Sequence, residues 1–153
     1  MLSKKAKYGL KALVALARRY EQGPVLISEL AEAEGIPKKF LELILLELKN
    51  DGILQSKKGK GGGYFLAKKP TTVTLGNIIH VLDGPFGLLP CVNNLGRVPC
   101  DECQDETTCG VRLAMLEVHE AMAEVLDGTT LADVVERTEN AERGESAVLA
   151  YCI

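Results

Sequence analysis

The sequence predicts a mainly α-helical fold with a small β-wing: a winged helix-turn-helix domain followed by a long dimerisation helix. Three observations predict it. Residues 1–70 read as helix, helix, tight glycine turn, helix and glycine-rich hairpin, the element order of a winged helix-turn-helix. The same residues carry 14 Lys and Arg against 7 Asp and Glu, a balance of +7, whereas residues 71–153 carry 4 against 14, a balance of −10. Finally, Val111, Met115, Val118, Met122 and Val125 recur at spacings of 4, 3, 4 and 3, a heptad seam about two heptads long.

In chain order, Tyr8, Ala12, Leu16 and Tyr20 at steps of four mark an amphipathic helix over 4–20. Glu21-Gln22-Gly23-Pro24 ends it, and Val25-Leu26-Ile27 reads as a short strand. Ser28 is an expected N-cap for a helix from Glu29 to Glu34, which Gly35 stops. Pro37 suits the first turn of the next helix, 38–50, whose buried side carries Phe40, Leu41, Ile44, Leu45 and Leu48. Strands at 53–56 and 64–67 flank the hairpin tip Lys57-Lys58-Gly59-Lys60-Gly61-Gly62-Gly63. Thr74 caps a helix that runs to Leu82. A loop of Cys, Asn, Asp, Gly and Pro then leads into a long helix from Cys109 to Leu126. Thr129-Thr130 cap a short helix through Val134-Val135. The expected organisation is therefore a DNA-binding domain over 1–70 and, over 71–137, a helix, the cysteine loop 85–109 and the dimerisation helix. A partly mobile tail is expected over 138–153.

Composition excludes several classes. With 153 residues, 46% hydrophobic and 25% charged, the chain is neither a disordered tail, a collagen-like repeat nor a membrane bundle. Met1 to Tyr20 is basic, but Lys11 breaks its apolar run and no small-residue cleavage site follows, so it reads as a core helix of a cytoplasmic protein. A basic half suits a polyanion; the rival explanation is two oppositely charged lobes that attract each other.

The residues that would face DNA follow from the fold. Lys38 and Lys39 open the recognition helix and can neutralise phosphates or donate to guanine edges. Glu42, one turn on, can accept from cytosine N4, while Phe40 is divided between core packing and a thymine methyl. Ser28 and the amides beside it can hold a phosphate. In the wing, Lys57, Lys58 and Lys60 supply charge, and Gly61 and Gly62 let the backbone approach DNA, with Tyr64 returning into the sheet. A phosphate-binding nucleotide loop is excluded, because no Gly-Lys-Ser/Thr opens a helix there.

Five cysteines are too few, and odd in number, for a secreted disulfide scaffold. Cys91, Cys100, Cys103 and Cys109 are separated by 8, 2 and 5 residues. Thiolates so clustered suit zinc, an iron–sulfur cluster or a regulatory disulfide, and spacing does not choose among them. Cys152 stands apart as a terminal thiol. His80 and His119 both lie on helical segments without a Ser/His/Asp grouping, and Glu117, Glu120 and Glu124 read as a solvated face, so no enzymatic activity is expected.

Together these residues resemble the IscR/NsrR-type winged-helix regulators, bacterial transcription factors that sense iron–sulfur status, nitric oxide or redox state. The resemblance rests on Lys7-Tyr8-Gly9-Leu10-Lys11-Ala12-Leu13, Ile36-Pro37 through Leu41-Glu42, and the Gly59-Lys60-Gly61-Gly62-Gly63-Tyr64 wing. It continues through Val73-Thr74-Leu75-Gly76-Asn77-Ile78-Ile79, Cys103-x5-Cys109-x2-Arg112 and Thr129-Thr130-Leu131-Ala132-Asp133. It implies a homodimer, paired through Val111, Met115, Val118, Met122 and Val125, that reads a pseudo-palindromic site in double-stranded DNA. It also implies an iron–sulfur cluster, 2Fe–2S ahead of 4Fe–4S, on Cys91, Cys103 and Cys109, with zinc or no metal as the alternative. The chain departs from the family where a histidine ligand is replaced by Arg112, an acid by Tyr8, a wing arginine by Lys58 and a tryptophan by Met115. Cys100 is a spare thiol that can serve as the fourth ligand or replace Cys103. The expected function is a DNA-binding repressor controlled by the cluster. The alternatives are the same fold as a thiol–disulfide or zinc regulator and, further off, a protein-interaction or electron-carrier module.

Overall fold

The computed structural model describes residues 2–93, 98–103 and 105–144. Of the tail expected to be partly mobile, 138–153, residues 138–142 are helical, and 145–153, with Cys152, lie outside the described residues. The elements are α1 (Lys4–Arg18), α2 (Ile27–Glu34), α3 (Lys38–Asn50), β1 (Leu54–Lys57), β2 (Gly63–Leu66), α4 (Leu75–Asp83), α5 (Gly110–Gly128) and α6 (Leu131–Glu142). Single 3-10 turns sit at Pro70–Thr72 and Pro90–Val92. The architecture is thus mainly helical, with one two-stranded antiparallel wing.

One core joins these elements. Leu13 and Leu16 of α1 meet Leu30 of α2, Leu41, Ile44, Leu45 and Leu48 of α3, Ile78 and Leu82 of α4, and Leu131 of α6. Each such side chain, fully buried, stabilises the fold by about 1.5–3 kcal/mol. Gly9 lets α1 and α4 close on each other: a Cβ there would overlap the Leu82 side chain and stand 3.3 Å from Ile44. Gly35 ends α2 in the left-handed region, φ 63°, and the Ile36 amide returns to the Ala31 carbonyl at 2.9 Å. That leaves the tight turn into α3.

The start of α2 differs from the sequence expectation. Val25 forms a one-residue bridge to Tyr64 rather than a strand with Leu26 and Ile27. Its amide and carbonyl bond the Tyr64 carbonyl and amide, each at 2.9 Å. The helix therefore begins at Ile27, whose side chain packs on the core. Leu26 occupies the cap without a side-chain bond, and Ser28 lies inside the first turn rather than at the N-cap. The wing strands are displaced by one residue each, pairing Leu54↔Leu66 through Lys57↔Gly63. Buried Ile53 belongs both to the turn that ends α3, its amide donating to the Leu48 carbonyl at 3.0 Å, and to the wing, its carbonyl accepting from the Ala67 amide at 2.9 Å.

Thr74 caps α4, its hydroxyl accepting from the Asn77 amide at 3.2 Å. Thr130 caps α6 in a reciprocal box: its hydroxyl accepts from the Asp133 amide at 3.2 Å, and its own amide donates to Asp133 at 2.7 Å. A short bridge ties the start of α4 to the junction of α5 and α6, with Leu75 to Thr129 and Leu131 to Val73 both at 2.9 Å. α6 continues to Glu142, past the expected end near Val135, and Glu142 there pairs with Arg18 of α1 at 2.7 Å. α5 leaves the core: His119 is its one buried residue. Among the described residues, no helix is long and apolar enough to cross a membrane.

Candidate DNA-binding face and cysteine site

α2 and α3 cross as a helix-turn-helix, and α3 turns its outer side to solvent. Lys38, Lys39 and Glu42 are exposed there, as is Ser28 on α2. Phe40 is half-buried, its ring edge-on to Tyr8 at 5.8 Å and 81°, which is the packing use of that residue. Tyr8 is therefore also a packing residue. In the wing Lys57, Lys58, Lys60 and Gly61 are exposed, while Gly62 is buried and Tyr64 half-buried. Gly62 has no room for a side chain, since a Cβ would strike the Lys57 and Gly59 carbonyls.

Ion pairs sort the basic residues. Lys5 pairs with Glu47 at 3.2 Å, Lys11 with Glu34 at 3.7 Å, and Arg19 with Glu29, all within the basic half. Arg18–Glu142 crosses to the acidic half. One exposed pair does not hold two lobes together. The exposed lysines of α3 and the wing are a positive surface suited to a polyanion.

The four loop cysteines are all free and line one cavity of about 420 Å³ at the head of α5, with Leu89, Val98 and Arg112. Cys91 is buried in the Pro90–Val92 turn, Cys100 is exposed, and Cys103 and Cys109 are half-buried. Cys109 is the N-cap of α5. The Arg112 amide, and then the Cys103 thiol, hold its sulfur below the ordinary thiol range. Desolvation, and then the hydrogen bond to Cys109, push Cys103 up. Among the described residues, no three His, Cys, Asp or Glu side chains converge closely enough to share a metal ion.

Two features of this region escaped the sequence reading. Asp105 braces the loop between Cys103 and Cys109, accepting from the Thr107 amide at 2.8 Å and hydroxyl at 2.6 Å, and from the Thr108 hydroxyl at 2.9 Å. Those bonds, the Thr107 hydroxyl first, hold its carboxyl below the usual range. An Asp followed two residues later by Thr is a readable local turn signal. Arg112 donates to the Glu106 carbonyl at 3.5 Å, while its Nε is buried without a partner among the described residues.

His80 and His119, on separate helices, line a second cavity of about 260 Å³ with Asn77, Phe86 and Asp127. The Phe86 ring lies 5.6 Å from the His119 ring, whose Nδ1 is buried without a partner among the described residues. Nothing in their local sequence signals this meeting. Glu117, Glu120 and Glu124 are exposed, as expected. On the seam of α5, Val111 and Val125 are each 65% exposed, Val118 is 41% and Met122 38%, and Met115 is half-buried.

A family model described as Rrf2, iron-dependent transcriptional regulator, matches residues 2–137. An Rrf2-like HTH-type transcriptional regulator of Rhodobacter capsulatus is 40% identical over 138 residues, 88% of this chain and 92% of that protein. The structure of CymR, the global cysteine regulator of B. subtilis, superposes with a TM-score of 0.75 at 31% identity, covering 89% of this chain and 96% of CymR. IscR of T. potens superposes with a TM-score of 0.72 at 30% identity, covering 93% of this chain and 90% of that one. These relatives are transcriptional regulators, not enzymes.

Proposed function

The chain belongs to the Rrf2 family of iron-dependent transcriptional regulators, and we propose that it is a cytoplasmic repressor whose DNA affinity is set by an iron–sulfur cluster on Cys91, Cys103 and Cys109. Cys100 is the further available thiol. The observation that carries this reading is the single cavity at the head of α5 that all four cysteines line. The donor set fits in its chemistry, since soft sulfur ligands suit iron–sulfur clusters, and the thiols around the cavity would draw together to hold one, because no three of them converge in the described residues. Hydrogen bonds hold the Cys109 thiol below its ordinary range, and the Arg112 Nε, buried without a partner among the described residues, lies on a side chain of the same wall. When bound, such a cluster supplies redox and ligand-exchange chemistry.

The protein's own residues carry the consequence. Cys109 caps α5, so a change at the loop bears on that helix. α5 packs on α4, and α4 meets α1 at Gly9 and Leu82. The seam from Val111 to Val125 pairs α5 with a second copy, because an amphipathic helix with one buried residue lacks a partner for its apolar face. Two α3 helices then enter successive major grooves of a pseudo-palindromic duplex, with Lys58 and Lys60 of each wing on the flanks.

A second reading keeps the fold and replaces the cluster with a thiol–disulfide switch. The hydrogen-bonded Cys103 and Cys109 thiols favour it. Protein purified without oxygen decides between them. The cluster reading expects absorbance between about 300 and 450 nm, with iron and acid-labile sulfide. It also expects loss of both in Cys103→Ala and Cys109→Ala. Colourless protein that cannot be reconstituted, and that forms a Cys103–Cys109 disulfide on oxidation, overturns the cluster. One zinc per chain overturns it in favour of a structural site.

A further inference from the structure

α3 carries two leucines that the core does not use. Leu43 is 64% exposed and Leu46 48% exposed, although both lie in the middle of a helix whose other leucines are fully buried. At about 100° per residue, Lys39, Leu43, Leu46 and Asn50 lie opposite Leu41, Ile44, Leu45 and Leu48. They form the centre of the outer face. Exposed apolar side chains at that place cost solubility and bring no packing in return, so they point to a contact.

We propose that Leu43 and Leu46 read thymine, each packing on a thymine C5-methyl in the major groove. The inference rests on α3 being the DNA-reading helix. Its occupant is double-stranded DNA because exposed Lys39 and Lys49 flank the leucines at i−4 of Leu43 and i+3 of Leu46, exposed Lys38 opens the same helix, and Lys58 and Lys60 are exposed in the wing. Lys39, Glu42, Leu43 and Leu46 stand at i, i+3, i+4 and i+7, the spacing by which a helix lying in the major groove presents side chains to successive base edges. Within that set the lysine and glutamate make polar contacts. A leucine has none to make, and the thymine methyl is the apolar group that the major groove displays. Leu43 and Leu46 thereby give sequence preference to a face whose lysines bind any duplex.

The test uses the full-length protein and duplexes that it enriches from a randomised library. Enriched half-sites are expected to fix thymines, and replacing these with deoxyuridine removes only the methyls. Each critical replacement should weaken binding about fourfold, the factor for burying one methyl-sized group. Leu43→Ala and Leu46→Ala, folded by circular dichroism, should each lose one of these thymine preferences while keeping salt-dependent binding. Leu43→Met should retain it. Equal affinity for thymine and deoxyuridine duplexes overturns the proposal and leaves DNA binding standing, as does undiminished discrimination in both alanine variants. Failure to enrich any duplex overturns the DNA-reading role of α3 and this proposal with it.

Discussion

Val25 and Tyr64 exchange both backbone hydrogen bonds at 2.9 Å, pinning the chain just before α2 to the base of the wing. Gly63 makes the approach possible. Its φ is +146°, and a Cβ there would run into the Val25 carbonyl. Gly63→Ala is expected to cost about 1–3 kcal/mol, the range for a strained backbone position. The wing would loosen from the helix-turn-helix, so DNA affinity should fall along with the melting temperature. Thermal unfolding followed by circular dichroism checks the first effect, and a duplex titration the second. A variant that melts with the wild type would show that the bridge holds nothing.

Charge in the wing is separable from its shape. Lys58 and Lys60 are exposed, and a lysine that neutralises a phosphate releases about one counterion. Lys58→Ala and Lys60→Ala should each reduce the slope of log affinity against log salt by about one unit and leave sequence preference intact. Affinity measured at several salt concentrations gives that slope. Lys5→Ala is the control, because Lys5 is engaged with Glu47 at 3.2 Å.

What the sequence made legible here was local. The limits of α3 and the caps at Thr74 and Thr130 depend on side chains within one turn, and they stand where the sequence put them. Ser28 failed as a cap because a partner far along the chain, Tyr64, fixes Val25 and so sets where α2 begins. The extension of α6 brings Glu142 beside Arg18, 124 residues away in the chain, and the His80–His119 cavity lies between two helices that no pattern links. The cysteines were legible as a cluster, but their unequal environments were not. Those come from the cap position of Cys109 and the burial of Cys91. Leu43 and Leu46 were hidden by the very abundance of leucine in α3, which obscures the difference between its inner and outer faces.

The outer face of α5 predicts oligomeric state. Val118 and Met122 are exposed one turn apart on a helix with a single buried residue. Val118→Glu or Met122→Glu places a carboxylate within the seam, where pairing would bury it unpaired. Either variant should shift the protein from dimer to monomer in sedimentation equilibrium, with little change in helix content. Glu120→Lys, on the solvated side, should leave the dimer intact.

Acid should weaken the α6 cap. The Thr130 hydroxyl, and then its amide, hold the Asp133 carboxyl below the ordinary aspartate range. A depressed folded-state pKa contributes stability that is present above the unfolded value, near pH 3.9 for Asp. That contribution disappears as pH falls through the lower folded value. The wild type should therefore lose this part of its melting temperature below about pH 4, while Asp133→Asn should show a flatter acid limb. At neutral pH, Thr130→Ala should cost about 1 kcal/mol, the usual loss for a removed cap. An Asp133→Asn melting profile parallel to that of the wild type across the acid range would contradict the coupling.

The thiol pair differs in reactivity by the same logic. In reduced, metal-free protein the Arg112 amide and the Cys103 thiol favour the Cys109 thiolate, whereas desolvation and Cys109 disfavour the Cys103 thiolate. Alkylation proceeds through the thiolate. Iodoacetamide at neutral pH should therefore label Cys109 before Cys103, as timed by mass spectrometry of the peptides. Arg112→Ala should preserve the order, because the leading donor to Cys109 is the backbone amide, which every residue but proline retains. Cys103→Ala should slow labelling of Cys109, since it removes the thiol donor that lowers Cys109. If Cys103 reacts first in the unmodified protein, the N-cap of α5 is not the source of the asymmetry.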